Sequence, residues 1–320
     1  MEMLMPAYEG PEKRMEIILS PPMPGLRSDA DGKWKNLIKA TGAEIISKVS
    51  ADLLDAYLLS ESGLFVWEDR ILLITCGKTA PVRALPLVAE IVEKNRIASV
   101  FYEQRNFSPG HFSEFEKDAA AISLWFPGKS HSLGSANHQV NLFHSFPVVQ
   151  NVQHLPALRM LLHDLPSEIR KIFCRNPNVS KSEMHTLSGI TALCDTRMTT
   201  DDHLFSPCGY SLNGIKGKQY VTLHVTPQPV NSYVSFETDM AKNGWHRVIR
   251  KVVEIFRPAE FSLMLTSEKK DFCFSETAEQ IPKEYSLADR TLYTSDCGYR
   301  LFFLRACLKD KDRIFLKEGI

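Results

Sequence analysis

Two distant stretches of the chain read as the same unit, and that repetition limits what the chain can fold into more than any other feature. In the first, Ala56–Val66 reads as a strand and Glu68-Asp69 as a turn. "RILLITCG" (70–77) follows as a buried strand, and "APVRALPLVAEIVEK" (80–94) places Val82, Leu85, Val88, Ile91 and Val92 at helical spacing. In the second, "QYVTLHV" (219–225) alternates as a strand does and "TPQP" turns. "SYVSFET" (232–238) then sets Tyr233, Ser235 and Glu237 against Val234, Phe236 and Thr238. "WHRVIRKVVEIF" (245–256) completes the copy, with Trp245, Val248, Ile249, Val252 and Phe256 on one helical face. A hairpin with one apolar face needs a covering layer, so the repeat predicts two antiparallel sheets, each covered on one face by helices. The period is far too long for a solenoid. Elsewhere, 25–36 reads as a polar loop before an amphipathic run at 34–50. Periodicity weakens over 108–200, and 175–189 reads as an exposed connection.

Composition narrows the function classes. Lys+Arg and Asp+Glu are both 38, so the chain has no bulk charge with which to hold nucleic acid or an anionic membrane. No apolar run is long enough to span a bilayer. The opening "MEMLMPAYEGPEKRMEI" has acids and a proline where a secretory leader needs an unbroken apolar stretch. The seven cysteines are scattered, with no CxxC pair, which argues against a disulfide framework and against a zinc site. The expectation is a cytoplasmic protein without metal.

Five short segments hold residues with chemical potential, and each also has an ordinary explanation. "LSES" puts Ser60 and Ser62 around Glu61, which is commonly no more than a polar kink. The alternative is Ser62 as a nucleophile against its own upstream carbonyl, a reaction that needs a strained backbone and a proton acceptor. Cys76 ends a strand, where cysteine is usually a small core residue but can donate a proton if it faces a cleft. "LFSPCGYSLNG" (204–214) is a shaped loop in which Ser211 and Asn213 can close a turn. His224 sits inside an apolar strand, the usual setting of a hydrogen-bonded core histidine. Glu9, Glu12 and Glu16 fit a solvated charged face.

Taken together and in this order, "YEGPEKRMEI", "YLLSESGLFV", "ILLITCG", "FSPCGYSLNG", "HVTPQP", "SYVSFET" and "RKVVEIFRP" resemble the eukaryotic-type S-adenosylmethionine decarboxylase proenzymes, over residues 8 to about 258. The resemblance implies an α+β fold, a four-layer αββα sandwich with two central antiparallel sheets and an internal pseudo-duplication. It implies one domain over 1–320 that cuts itself between Glu61 and Ser62 into chains 1–61 and 62–320. Ser62 would become a pyruvoyl group, the cofactor, which forms a Schiff base with the substrate amine and acts as an electron sink. Family roles carried across are Cys76 as proton donor, Glu9 and Glu12 as acidic active-site residues, and Ser211 and His224 as processing residues, with His224 the proton acceptor. Tyr8 and Phe205 would stack adenine, and the Glu61 backbone would bond its edge. The product would be decarboxylated S-adenosylmethionine for polyamine synthesis.

Departures from the family pattern carry expectations of their own. Where the family has a carboxylate for the ribose hydroxyls, this chain has Gln228, which lacks charge-assisted bonds. Weaker or altered substrate binding follows. Of the acidic site that mammalian members use for the activator putrescine, the chain keeps Glu16, Glu183 and Glu237, but the fourth acid falls at Leu187 and the lysine of those members at Ile74. Putrescine activation is therefore not expected to carry over intact. Two alternatives stand beside the main reading: a pyruvoyl decarboxylase of ornithine or arginine, and a weakly active regulatory subunit of a partner decarboxylase. The sequence does not choose between monomer and homodimer.

Overall fold

The computed structural model describes residues 11–105, 112–134, 138–146, 156–176, 179–240, 244–267, 281–295 and 300–309. The chain forms two compact units, the first from residues 9–153 with 215–218 and the second from 154–214 with 219–320. Each holds one eight-stranded antiparallel sheet.

The strands of the first unit are β1 (Glu12–Leu19), β2 (Ile45–Ala51), β3 (Leu54–Leu59), β4 (Ser62–Val66), β5 (Arg70–Thr75), β6 (Ile97–Arg105), β7 (Gly128–Leu133) and β8 (Val140–Ser145). Those of the second are β9 (Ala157–His163), β10 (Thr199–Leu204), β11 (Tyr210–Lys216), β12 (Gln219–Thr226), β13 (Tyr233–Thr238), β14 (Glu260–Ser267), β15 (Tyr285–Thr294) and β16 (Arg300–Leu308). The spatial orders are β2-β3-β4-β5-β1-β6-β8-β7 and β10-β11-β12-β13-β9-β14-β16-β15. Adding eight to each strand number turns the first order into the second. The repeat seen in the sequence is thus the most legible piece of a complete duplication.

Helices α1 (Lys33–Thr41), α2 (Leu85–Ile91) and α3 (Phe112–Trp125) cover the first sheet. Trp34, Leu37 and Ile38 of α1 and Leu85 and Val88 of α2 share one apolar core with Met15, Ile17, Tyr57, Leu64 and Leu73. The amphipathic run expected over 34–50 is two elements. Gly42, at φ 93°, stops α1, and the chain re-enters as β2 with a period-two burial pattern. The strand expected over 56–66 is likewise a hairpin, folded at Ser60-Glu61.

The second sheet is covered by α4 (Ser167–Ile172), α5 (Lys181–Ser188) and α6 (Trp245–Phe256). Trp245, Ile249, Val252, Val253 and Phe256 of α6 are buried against Leu158, Leu223 and Phe236, about 2 kcal/mol of gross burial per side chain. Helix α5 corrects the expectation of a bare connection over 175–189. Ser180 and Glu183 form a reciprocal capping box at its start and Gly189, at φ 70°, ends it. A disulfide, Cys174–Cys208, corrects the expectation drawn from cysteine spacing. An antiparallel bridge brings these two residues together across 34 positions, which no spacing rule reveals.

Among the described residues no helix is long and apolar enough to cross a membrane.

Candidate active site

In the first unit, β3 and β4 form a hairpin whose last ladder pair is Leu59 with Ser62, leaving Ser60 and Glu61 as the loop. Ser60 is anchored twice to Glu44: its N–H donates to the Glu44 carbonyl at 2.9 Å, and its Oγ accepts from the Glu44 N–H at 3.0 Å. The residue that follows the loop is strained. Ser62 is buried and has φ 139°, a region that residues with a β-carbon rarely adopt. Its strand partner is Thr75, so the residue after β5, Cys76, arrives beside the Glu61–Ser62 peptide. The Cys76 N–H donates to the Glu61 carbonyl oxygen at 3.2 Å, and Cys76 Sγ lies 3.5 Å from the same oxygen. Sγ also lies 3.6 Å from Glu61 Oε2. The turn after Cys76 is fixed by Thr79 Oγ1, which donates to the Cys76 carbonyl at 2.6 Å, and by Lys13 Nζ, 3.1 Å from the Thr79 carbonyl. One carbonyl carbon thus sits between a strained serine and two donors that polarise it.

Charged residues line β1 and its neighbours. The register sets Lys13 opposite Thr75, which puts Glu12 at the end of the sheet where Cys76 follows β5. Glu12 is buried and paired with Arg105 at 3.4 Å. Glu16 is held by Arg14 at 3.0 Å and by Arg70 at 3.2 Å, and Arg70 also stacks on the Trp67 ring at 3.7 Å. Ile74 is buried without charge. Tyr8 and Glu9 lie outside the described residues.

In the second unit, the loop before β11 is clamped beside the disulfide. Arg175 N–H donates to the Pro207 carbonyl at 2.7 Å and Gly209 N–H to the Phe173 carbonyl at 2.9 Å, while Phe205 N–H donates to Gly209 O at 2.8 Å. Gly209, at φ 124°, makes that turn, and a β-carbon there would stand 3.4 Å from Phe205 Cβ. Phe205 is half-buried and meets His203 edge to face. From the clamped loop, β11 carries Ser211 and Asn213 on one face. Thr222 and His224 of β12 share a face in the same way.

Ser211 Oγ lies 2.8 Å from His224 Nδ1, His224 Nε2 lies 2.9 Å from Thr222 Oγ1, and Thr222 Oγ1 donates to Asn213 Oδ1 at 2.9 Å. Burial pushes the His224 imidazole down to about 4, against an opposing pull from Glu237. The histidine is therefore neutral near pH 7, which is the form that accepts a proton. Glu237 is buried and bonded by the Tyr220 hydroxyl. Gln228 is buried just after β12, and its backbone carbonyl accepts from Arg170 at 3.2 Å.

Glu183 does not fit the activator cluster expected of it. It is fully exposed, and its carboxylate is spent on the Ser180 cap, which holds it below the usual carboxylate range. Leu187 is also exposed. Conversely, the sequence reading does not single out Arg14, Arg70 or Thr222 and gives Asn213 only a turn-closing part, although for Thr222 and Asn213 a signal exists. "SLN" and "TLH" each place two polar groups two apart in otherwise apolar strands, the mark of a polar stripe on one sheet face.

The description "Adenosylmethionine decarboxylase" belongs to a family model that matches residues 5–306. The S-adenosylmethionine decarboxylase proenzyme of Drosophila melanogaster is 33% identical, over 87% of this chain and 88% of its own length. The proenzyme of the same name from Xenopus laevis is 31% identical, over 83% and 85%. The crystal structure of the Trypanosoma brucei AdoMetDC-delta26 monomer superposes with a TM-score of 0.60 at 21% identity, covering 77% of this chain and 99% of that one, so the fold is shared. With a duplicated pair of sheets and a strained serine at their most specific motif, the chain belongs to the adenosylmethionine decarboxylase family.

Proposed function

We propose that this chain is a self-processing proenzyme whose mature form decarboxylates S-adenosylmethionine, yielding the aminopropyl donor for polyamine synthesis. The observation that carries the reading is the Glu61–Ser62 peptide. Ser62 stands at φ 139° while the carbonyl of Glu61 accepts from Cys76 N–H. Ser62 Oγ attacks that carbonyl carbon, the amide C–N bond breaks and an ester forms, releasing backbone strain as it does so. Loss of the Ser62 Cα proton, with His224 as acceptor, then breaks the Ser62 Cβ–Oγ bond. Glu61 is left as a free carboxylate at the end of chain 1–61. Hydrolysis of the dehydroalanine at position 62, with loss of ammonia, leaves a pyruvoyl group at the start of chain 62–320.

The residues around position 62 fit that group. The site is buried, and a thiol stands at hydrogen-bond range from the preceding carbonyl. A pyruvoyl there would supply an electrophilic carbonyl for the substrate amine and an electron sink for the decarboxylation. Cys76 Sγ carries a proton that it donates to the substrate α-carbon once CO2 has left. Phe205 and Tyr8 contribute ring faces for adenine, and Gln228 an amide for the ribose. No diamine activator is needed at Glu16, because Arg14 and Arg70 already neutralise it.

The test is the intact mass of freshly purified protein beside a Ser62→Ala variant. The expected result is two fragments divided between 61 and 62, the larger with a blocked, ketone-bearing N-terminus and releasing CO2 from carboxyl-labelled S-adenosylmethionine. A single chain that persists for days sinks the reading.

A further inference from the structure

We infer that Thr222 and Asn213 are positioning residues that hold His224 with its proton on Nε2, so that Nδ1 is left as the basic atom toward Ser211. The inference rests on the proposed role of His224 in processing, and it adds the device that keeps the correct nitrogen basic.

Proton counting gives the direction. Thr222 has one hydroxyl proton, and it goes to Asn213 Oδ1 at 2.9 Å. Only a lone pair of Thr222 Oγ1 then faces His224 Nε2, 2.9 Å away, so Nε2 must be the N–H donor. A neutral imidazole has a single N–H, and Nδ1 therefore carries the lone pair. The 2.8 Å contact with Ser211 becomes O–H···N, with the serine donating.

The opposite tautomer is costly in this setting. Nε2 would become an acceptor, and the Thr222 proton would have to turn toward it. Asn213 Oδ1 would then face a hydroxyl lone pair. Thr222 is 1% exposed and Asn213 is fully buried, so water is not at hand to relieve that clash. The doubly protonated ring is disfavoured by the same burial. The relay lies wholly within one sheet face of the second unit, between β11 and β12, where alternation presents Ser211, Asn213, Thr222 and His224 together.

The experiment reads the tautomer and the cleavage separately. The full chain carrying Ser62→Ala, which stays uncut, is labelled with 15N-histidine, and His224 is assigned by its loss in a His224→Gln chain. The expected spectrum has Nδ1 at the shift of an unprotonated ring nitrogen and Nε2 at that of a protonated one. Thr222→Val is expected to move the proton wholly or partly to Nδ1. In the chain that retains Ser62 it should slow cleavage about tenfold, the effect of one lost hydrogen bond. Thr222→Ser, which keeps the hydroxyl, should restore both.

Protonated Nδ1 in the Ser62→Ala chain overturns the proposal outright, with no need for Thr222→Val to fold. A Thr222→Val chain with unchanged tautomer, or with a changed tautomer and unchanged cleavage rate, also overturns it. If Thr222→Val does not fold, Asn213→Leu is read in the same way, because it frees the Thr222 proton to turn toward Nε2. Failure of the Ser62 chain to cleave at all would instead count against the processing reading, and the spectrum would still decide the tautomer.

Discussion

Replacing Ser62 by glycine should stabilise the first unit relative to replacing it by alanine, the reverse of the ordinary rule for strands. Within a strand, glycine is normally worse than alanine by about 0.5–1 kcal/mol, because it has more freedom to lose on folding. Ser62 opens β4, but its φ is 139°. A β-carbon in that region costs about 1–3 kcal/mol, and glycine does not pay it. Subtracting the entropic penalty leaves glycine ahead by about 0–2.5 kcal/mol, about 1 kcal/mol at mid-range. Neither variant has a hydroxyl, so both remain uncut and differ only in the β-carbon. Urea unfolding of the two chains at pH 7, followed by far-UV circular dichroism, is the assay. With a slope of about 2–3 kcal/mol per molar, the glycine midpoint should lie higher by roughly half a molar. A glycine midpoint that places this variant below alanine by the ordinary strand penalty of about 0.5–1 kcal/mol would mean that the Ser62 backbone holds no strain. Strain would then have to be dropped as a driving force for cleavage.

Other outcomes follow from the same geometry. His224 is depressed from an unfolded value near 6.5 to about 4, so the unfolded chain binds a proton that the folded one refuses; stability should fall by about 2 kcal/mol between pH 7 and pH 5, and His224→Gln should flatten that slope in urea titrations. The Cys174–Cys208 bond closes a span of 34 residues, so Cys208→Ser should lower the stability of the second unit by about 3–4 kcal/mol in the chain-entropy picture, read from thermal unfolding with and without reductant. Gln228→Glu should lower the KM for S-adenosylmethionine about tenfold through charge-assisted bonds, with little change in kcat; an unchanged KM would remove residue 228 from the ribose site. Added putrescine should leave cleavage and turnover of the unaltered chain unchanged and should rescue an Arg14→Ala chain; stimulation of the unaltered chain would show that Arg14 and Arg70 do not satisfy Glu16.

Much of this arrangement was readable in the sequence, for identifiable reasons. α6 and β13 fall where periodicity sets them, because their apolar faces are long and unbroken. The hairpin at Ser60-Glu61 was less legible, since Leu58, Leu59, Leu64 and Phe65 are all buried and hide the reversal inside one apolar run. α5 was missed because it is short, mostly exposed and built on a local cap rather than an apolar stripe. Motif matching offers Ser62, Cys76, Ser211 and His224 as candidates. It cannot see pairings such as Glu16 with Arg70 or Cys174 with Cys208, which are set by sheet register and by a bridge, not by proximity in the chain.

The position of β1 gives a cut at Glu61–Ser62 an unusual consequence. Residues 1–61 carry β1, β2 and β3, and β1 is not an edge strand but lies between β5 and β6. The two products would share three ladders, β1 with β5, β1 with β6 and β3 with β4, and would be interleaved rather than docked. Neither can leave without opening the middle of the sheet, so their separation rate is the unfolding rate of the unit. Refolding changes character as well. Before the cut it is a unimolecular event; afterwards it requires two chains to meet, and its yield falls with dilution. The mature protein would hold its shape by kinetics, having given up the covalent link that let it fold.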